Sequence, residues 1–483
     1  MQLNTKLDFA KVDRDKENEV TVLATITAPA AKKGVERKPL NIVAVIDVSG
    51  SMSGQKLEHV KTSCDVMIDN MTEKDSIAVV EFTSESRVVM PLTKLMGGKK
   101  QDVKNAIHAM HAQASTNLSG GISDGFSCLK DTDTSSATSA VLVFTDGQAN
   151  SGIRDGSGLT VFLAGLRETT PNVRASFFGY GADHDGDLLA TLAKVGGGNY
   201  HFVNDPEKIA AAFGDEFGSL LTVVGQSLKL EVTPNNGVTI LEVLDDVAVE
   251  EKTGGKVLIS LDDILAEDKK HCLIKVKLPA ATKAVAARPV TVCDLALSWV
   301  DPEGKSQSVT AKARVLYTKA AEADKVPDVE VDAQINRIKV ANASKAAKEK
   351  AEAGDFVGAR GIMAFCVDNL RGSASHDDAF VTNLVDDALK LGESLENRVQ
   401  YLSAGGAANM ANYTSSLNRQ SYTGEWGASK SKRNAVRSAT AASFSQAAGD
   451  PGSAQNVKAP VVPEEKKEPE KKSLTKSRSA RSW

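Results

Sequence analysis

Cysteine is sparse in this chain of 483 residues: Cys64, Cys128, Cys272, Cys293 and Cys366 are an odd number, widely spaced, with no C-x-x-C pair among them. That excludes a disulfide framework, a zinc ribbon and a RING-type zinc site. Cys64, Cys128 and Cys366 fall on apolar faces of expected helices and are read as core residues. Long apolar runs are also lacking. None approaches the roughly 18–20 residues that cross a bilayer, and the start, Met1-Gln2-Leu3-Asn4, has no apolar stretch of the signal-peptide kind. A soluble, cytoplasmic protein without a membrane span is expected. The net charge of −4 is too small for this length to imply a nucleic-acid or anionic-membrane partner. The glycine clusters at Gly120-Gly121 and 196–198 lack the Gly-Lys-Ser/Thr ending of a phosphate loop. No G-x-G-x-x-G follows the first buried strand, and no Ser/His/acid grouping stands out for nucleophilic catalysis, so the expectation is that the protein is not an enzyme.

Hydrophobic residues make up 41 % and charged residues 25 %, as in soluble globular proteins. At roughly 100–200 residues per domain the length allows two to four domains. Charge is unevenly spread: residues 427–483 hold about twelve Lys/Arg against five Asp/Glu, making this stretch about +7 and the remainder about −11.

Residues 1–37 offer two strands, at 3–9 and 20–27, with no helix to join. Between 38 and 222, strands at 41–46, 76–82, 140–144, 174–179 and 199–203 alternate with helices at 55–71, 99–110, 118–129, 158–169, 187–195 and 206–221. This alternation predicts a doubly wound, Rossmann-like α/β domain, its parallel sheet covered on both faces. Residues 223–318 change to a period of two, with short runs separated by turns such as Asn235-Asn236-Gly237 and Pro302-Glu303-Gly304, as in an all-β sandwich. The strands of residues 1–37 are expected to complete that sandwich, with the α/β domain inserted into it. Residues 329–403, rich in Ala, Lys and Glu, predict a C-terminal helical segment of two or three helices. Residues 404–483 predict a largely disordered Ser/Ala/Lys-rich tail, too poor in large apolar side chains to offset ordering entropy.

The chemistry-bearing residues follow the first buried strand. Asp47, Ser49 and Ser51 occupy alternate positions in the loop between that strand's carboxyl end and a helix, the edge at which open α/β sheets bind ligands. Thr116 lies just before a helix and Asp146 ends the strand at 140–144, so both are expected at the same edge. Taken alone, Asp-x-Ser-x-Ser serves equally well as a helix cap. Together, hydroxyls and carboxylates from three loops make an all-oxygen site for a hard divalent cation, Mg²⁺ with Mn²⁺ or Ca²⁺ as alternatives, and disfavour zinc. An incompletely neutralised ion there draws an acidic residue from a partner protein as a further ligand. His108 and His111 have no third ligand nearby and are read as solvent-facing. Asp183, His184, Asp185 and Asp187 are read as a loop and helix start, where acidic side chains favour the helix dipole.

Asp47-Val48-Ser49-Gly50-Ser51-Met52, Ser115-Thr116-Asn117-Leu118-Ser119-Gly120-Gly121 and Phe144-Thr145-Asp146-Gly147 resemble the three motifs of the von Willebrand factor type A (VWA) domain. Ser76-Ile77-Ala78-Val79-Val80-Glu81-Phe82 and Gly196-Gly197-Gly198-Asn199-Tyr200 are similar to further stretches of that family. The resemblance covers about residues 38–220. It implies a metal-ion-dependent adhesion site in which Ser49, Ser51 and Thr116 coordinate the ion while Asp47 and Asp146 bind it directly or through water. The downstream regions resemble those of related intracellular proteins, including plant RING-containing ubiquitin ligases and bacterial relatives, with the RING absent here. The expected function is metal-dependent protein–protein interaction, a scaffold binding an acidic residue of a partner. Alternatives are a structural subunit of a homo-oligomeric assembly, through self-association, and a recruiting scaffold in ubiquitin transfer.

Overall fold

The computed structural model describes residues 1–30, 38–113, 115–132, 137–170, 172–203, 206–261, 263–281, 288–403, 406–418 and 420. The chain opens with strands β1 (Gln2–Leu7), β2 (Lys11–Asp13) and β3 (Asn18–Thr27). These belong to two mainly antiparallel sheets whose other strands come only after residue 222. In between, β4 (Leu40–Asp47), β5 (Ser76–Phe82), β6 (Ser86–Lys94), β7 (Thr138–Thr145), β8 (Val173–Tyr180) and β9 (Gly197–Val203) form one sheet in the order β6-β5-β4-β7-β8-β9. It is parallel except for β6, which pairs antiparallel with β5 at the edge.

Every residue of β4 and β7 is buried, as expected for central strands covered on both faces. The pleat sends alternate side chains to opposite layers. Ile42, Ala44 and Ile46 face a core shared with helices α1 (Gln55–Asn70), α2 (Lys99–His108) and, by Phe213, Phe217 and Leu220, α6 (Pro206–Leu221). Val43 and Val45 face α3 (Leu118–Ser127), α4 (Gly156–Thr169) and α5 (Gly186–Gly196). Helix α3 sits unusually close to the sheet because two of its glycines leave room: a Cβ on Gly121 would stand 2.6 Å from Phe82 Cδ1, and one on Gly125 2.7 Å from Val45 Cγ2.

Directly after α6 the chain enters β10 (Val223–Pro234), followed by β11 (Thr239–Val243), β12 (Ala248–Lys252), β13 (Lys256–Ser260), β14 (Ile264–Leu265), β15 (Lys269–Leu278), β16 (Val290–Val300) and β17 (Ser306–Thr318). One sheet runs β1-β3-β15-β11 and the other β12-β13-β10-β16-β17-β2, with β14 on β10. The two enclose a single apolar core that joins Val20, Val22 and Ile26 of β3 to Leu230, Cys272, Leu295 and Val315. The α/β unit is thus inserted between β3 and β10 of this two-sheet body.

Among the described residues five helices follow: α7 (Val329–Glu352), α8 (Phe356–Arg371), α9 (Ala379–Ser394), α10 (Arg398–Ser403) and α11 (Gly406–Asn418). Asp328 caps α7 by accepting from the backbone N–H groups of Glu330 and Val331. Helix α7 touches both other bodies. Val331 and Ile338 pack on Leu23 and Leu273 of the sheets, and Arg337, 1 % exposed, pairs with buried Asp245. Further along α7, Lys348 pairs with Asp187 on α5. Helix α11 lies where the sequence composition indicated a tail; Met410, Tyr413 and Leu417 bury one of its faces. Of the tail expected over 404–483, residues 404–405, 419 and 421–483 lie outside the described residues. No helix among the described residues is long and apolar enough to cross a membrane.

Candidate metal centre

Strands β4 and β7 are neighbours in parallel register, so their carboxyl ends deliver Asp47 and Asp146 to the same sheet edge. Both side chains are fully buried. Asp47 accepts from the Ser49 backbone N–H at 2.9 Å and from the Thr145 hydroxyl at 2.5 Å. Thr145 Oγ1 accepts in turn from the Gly147 N–H at 2.9 Å, which shapes the turn carrying Asp146. After Ser49 the chain makes a short 3₁₀ turn at Gly50–Met52, anchored by buried Met52, and Gly54 at φ +79° lets it swing into α1. The turn leaves the Ser49 and Ser51 hydroxyls 3.1 Å apart, with Ser51 at the surface.

The third loop is tied to the other two by its backbone. Gln113 N–H donates to Val48 O at 2.6 Å, and Asn117 N–H to Thr83 O at 2.5 Å. Asn117 then caps α3 by accepting from the Gly120 N–H. Thr116, 1 % exposed, is clamped to the segment after Asp146. Its N–H donates to the Asn150 side-chain oxygen at 2.8 Å, and its carbonyl accepts from Asn150 and Ser151 N–H groups at 3.1 and 3.0 Å. The Asp146 carbonyl accepts from the Asp185 N–H at 3.0 Å, attaching the β8–α5 loop.

Two buried carboxylates dominate the electrostatics of this edge. Burial pushes the Asp47 carboxyl up to about 6, with the negative charge of Asp146 adding to the rise and the Ser49 and Thr145 hydrogen bonds opposing it. Asp146 has a cationic neighbour, Lys56 of α1, whose Nζ lies 3.3 Å from its Oδ2 and 2.9 Å from the Asp183 carboxylate. The donor set is two buried carboxylates and three hydroxyls. Among the described residues no group of three or more His, Cys, Asp and Glu side chains forms a metal cage. The chemistry therefore fits a hard divalent ion of the Mg²⁺ type, which is held by few carboxylates and keeps part of its water shell, and does not fit zinc.

The other candidates have structural partners. His108 faces Asp65 at 2.8 Å, and His111 is exposed. Asp183 pairs with Lys56, Asp185 caps α5 through the Leu188 N–H, and Asp187 pairs with Lys348. His184 is buried between Gly181 O and the Tyr200 hydroxyl. Residue spacing did not single out Thr145, Asn150 or Lys56. Thr145 and Asn150 stand next to a motif residue or four past it, whereas the Lys56–Asp183 pairing spans 127 positions and leaves no local signature.

Residues 41–214 match the sequence model of the von Willebrand factor type A domain, so the inserted α/β unit with its three converging loops is a VWA domain. The chain is 27 % identical over 221 residues to the uncharacterized protein YfbK of Escherichia coli (strain K12), a match covering 45 % of this chain and 38 % of that protein. It is 24 % identical over 260 residues to the E3 ubiquitin-protein ligase WAV3 of Arabidopsis thaliana, covering 52 % of this chain and 32 % of the ligase. These alignments thus span well under two thirds of either relative's length. Two solved structures share the fold over a wider range. The von Willebrand factor type A protein from Catenulispora acidiphila has a TM-score of 0.63 at 19 % identity, covering 81 % of this chain and 96 % of that one. The ArnB paralog VWA2 from Sulfolobus acidocaldarius has a TM-score of 0.55 at 13 % identity, covering 85 % and 98 %. VWA domains in general mediate protein–protein interaction.

Proposed function

We propose that this chain is a metal-dependent protein-binding scaffold. Asp47, Ser49, Ser51, Thr116 and Asp146 hold a divalent cation, Mg²⁺ with Mn²⁺ or Ca²⁺ as alternatives, and a partner protein binds through an acidic residue. The observation that carries this reading is the burial of two carboxylates at adjacent strand ends, with the Ser49 and Ser51 hydroxyls 3.1 Å apart in the first loop and the backbone of buried Thr116 bonded to the segment after Asp146. When bound, the ion supplies a Lewis-acidic position that accepts a carboxylate. The protein's part is positional: Asp47 fixes the first loop through the Ser49 N–H, Thr145 fixes Asp47, and Asn150 fixes Thr116. No role in catalysis is assigned to any of these residues. The setting proposed is the cytoplasm, in keeping with five free cysteines, four of them buried.

The test is Mn²⁺ and Mg²⁺ titration calorimetry on the full chain and on Asp47→Ala, followed by partner capture in Mg²⁺ and in chelator. Metal binding by the wild type that Asp47→Ala loses, with Mg²⁺-dependent capture, is the expected result. Equal capture by the wild type in Mg²⁺, the wild type in chelator and Asp47→Ala overturns the reading. A narrower role as a recruiting scaffold in ubiquitin transfer is favoured by the likeness to WAV3. It requires a separate ligase, because this sequence has no C-x-x-C pair.

A further inference from the structure

We propose that Lys56 is the residue that sets the charge of the loaded metal centre, and with it the preference for an anionic partner group. This rests on the metal reading above. Lys56 lies in the first turn of α1, five residues beyond Ser51, and its side chain is 20 % exposed. Its ammonium reaches buried Asp146 at 3.3 Å and Asp183 at 2.9 Å, the latter 65 % exposed. Gly181, at φ +84°, carries the β8–α5 loop over the end of the lysine side chain, a Cβ there standing 2.4 Å from Lys56 Cε. The two carboxylates hold the ammonium at this edge.

The consequence is electrostatic. Asp47 and Asp146 bring two negative charges with no water around them, and Lys56 cancels one. A divalent ion then leaves the centre with one net positive charge, since the charge of exposed Asp183 is largely screened by solvent. Without Lys56 the same ion would leave the centre neutral. Lys56 thus weakens the hold on the ion while strengthening the draw on a carboxylate from outside. The loaded centre binds an anion readily and keeps its metal firmly only when that anion is present.

The experiment measures Mn²⁺ affinity by calorimetry, and acetate affinity by the fall in water-proton relaxation as acetate displaces Mn²⁺-bound water. It uses the full-length wild type, Lys56→Met, Lys56→Arg, Asp183→Asn and, as a distant control, Lys104→Met. Methionine keeps the stem over Gly181 and removes the charge. Lys56→Met is expected to bind Mn²⁺ about tenfold more tightly or better and acetate about tenfold more weakly, as loss of one nearby repulsive charge requires. Lys56→Arg and Lys104→Met should match the wild type. Asp183→Asn should bind Mn²⁺ a few fold more weakly, the opposite direction, which keeps the proposal testable should Lys56→Met misfold. Unchanged or weaker Mn²⁺ binding by a folded Lys56→Met overturns the proposal alone and makes Lys56 a structural strap. A wild type that binds no Mn²⁺ overturns the proposal together with the metal reading.

Discussion

The Thr145 hydroxyl donates to the buried Asp47 carboxylate at 2.5 Å, joining the ends of two neighbouring strands across a separation of 98 residues. It ties the first motif directly to the third, and it satisfies an oxygen that has no access to water.

Removing that hydroxyl while keeping the shape of the side chain isolates its contribution. Thr145→Val leaves one Asp47 oxygen and the Gly147 N–H without their partner. The expected cost is about 1–3 kcal/mol in denaturant unfolding, together with weaker Mn²⁺ binding. Unchanged stability and metal affinity would show that the two motifs are positioned independently.

The raised Asp47 carboxyl makes stability depend on pH in a defined direction. Its folded value of about 6 lies above the ordinary 3.8, so the metal-free fold prefers the protonated acid. The associated stability is fully present below about pH 4 and is lost as pH rises through about 6, by roughly 3 kcal/mol. In chelator, the wild type should lose stability relative to Asp47→Asn across that window and stay parallel to it above pH 7. Saturating Mg²⁺ should restore wild-type stability at pH 7 and have no effect on Asp47→Asn. Measured Mg²⁺ affinity should fall as pH drops below about 6, because protons then compete for the same carboxylate.

Glycines in two helices separate close packing from open surface. Gly125→Ala places a methyl 2.7 Å from Val45 and should cost about 1–3 kcal/mol by lifting α3, the helix that follows the Thr116 loop. Gly165→Ala on α4 meets nothing within 4 Å and should stabilise the protein by up to about 1 kcal/mol. Thermal unfolding of the two variants checks both signs.

Arg337 joins α7 to the segment after β11 by donating to buried Asp245, and to α11 by donating to the Leu417 carbonyl at 2.8 Å. Arg337→Met strands the Asp245 charge and should cost about 3–5 kcal/mol. Hydrogen exchange should show the loss concentrated in α7 and α11, with β4 and β7 protected as before.

The fold class was legible wherever burial on both faces writes an unbroken apolar run, as at β4 and β7, or where a period of two or 3.6 persists. Strand β6 escaped notice because it is a half-exposed edge strand carrying Arg87 and Pro91, with no regular alternation. Helix α11 escaped because its Ser/Ala/Asn composition resembles a tail, and only the spacing of Met410, Tyr413 and Leu417 betrays a buried face. The residues of the candidate centre stood out because an open α/β sheet gathers its ligand-bearing loops at one edge. Lys56 did not, because nothing in α1 itself distinguishes a lysine that will find Asp146 and Asp183 from one that faces solvent.

The insertion of the VWA domain between β3 and β10 gives it two tethers to the body behind it, and the Lys348–Asp187 pair adds a third point of attachment. A platform held at three points swivels less freely than one on a single hinge. A molecule gripped at its outer edge would therefore be presented to the sheets and helices behind within a narrowed range of angles, and less orientational freedom would be left to lose when a second surface is engaged.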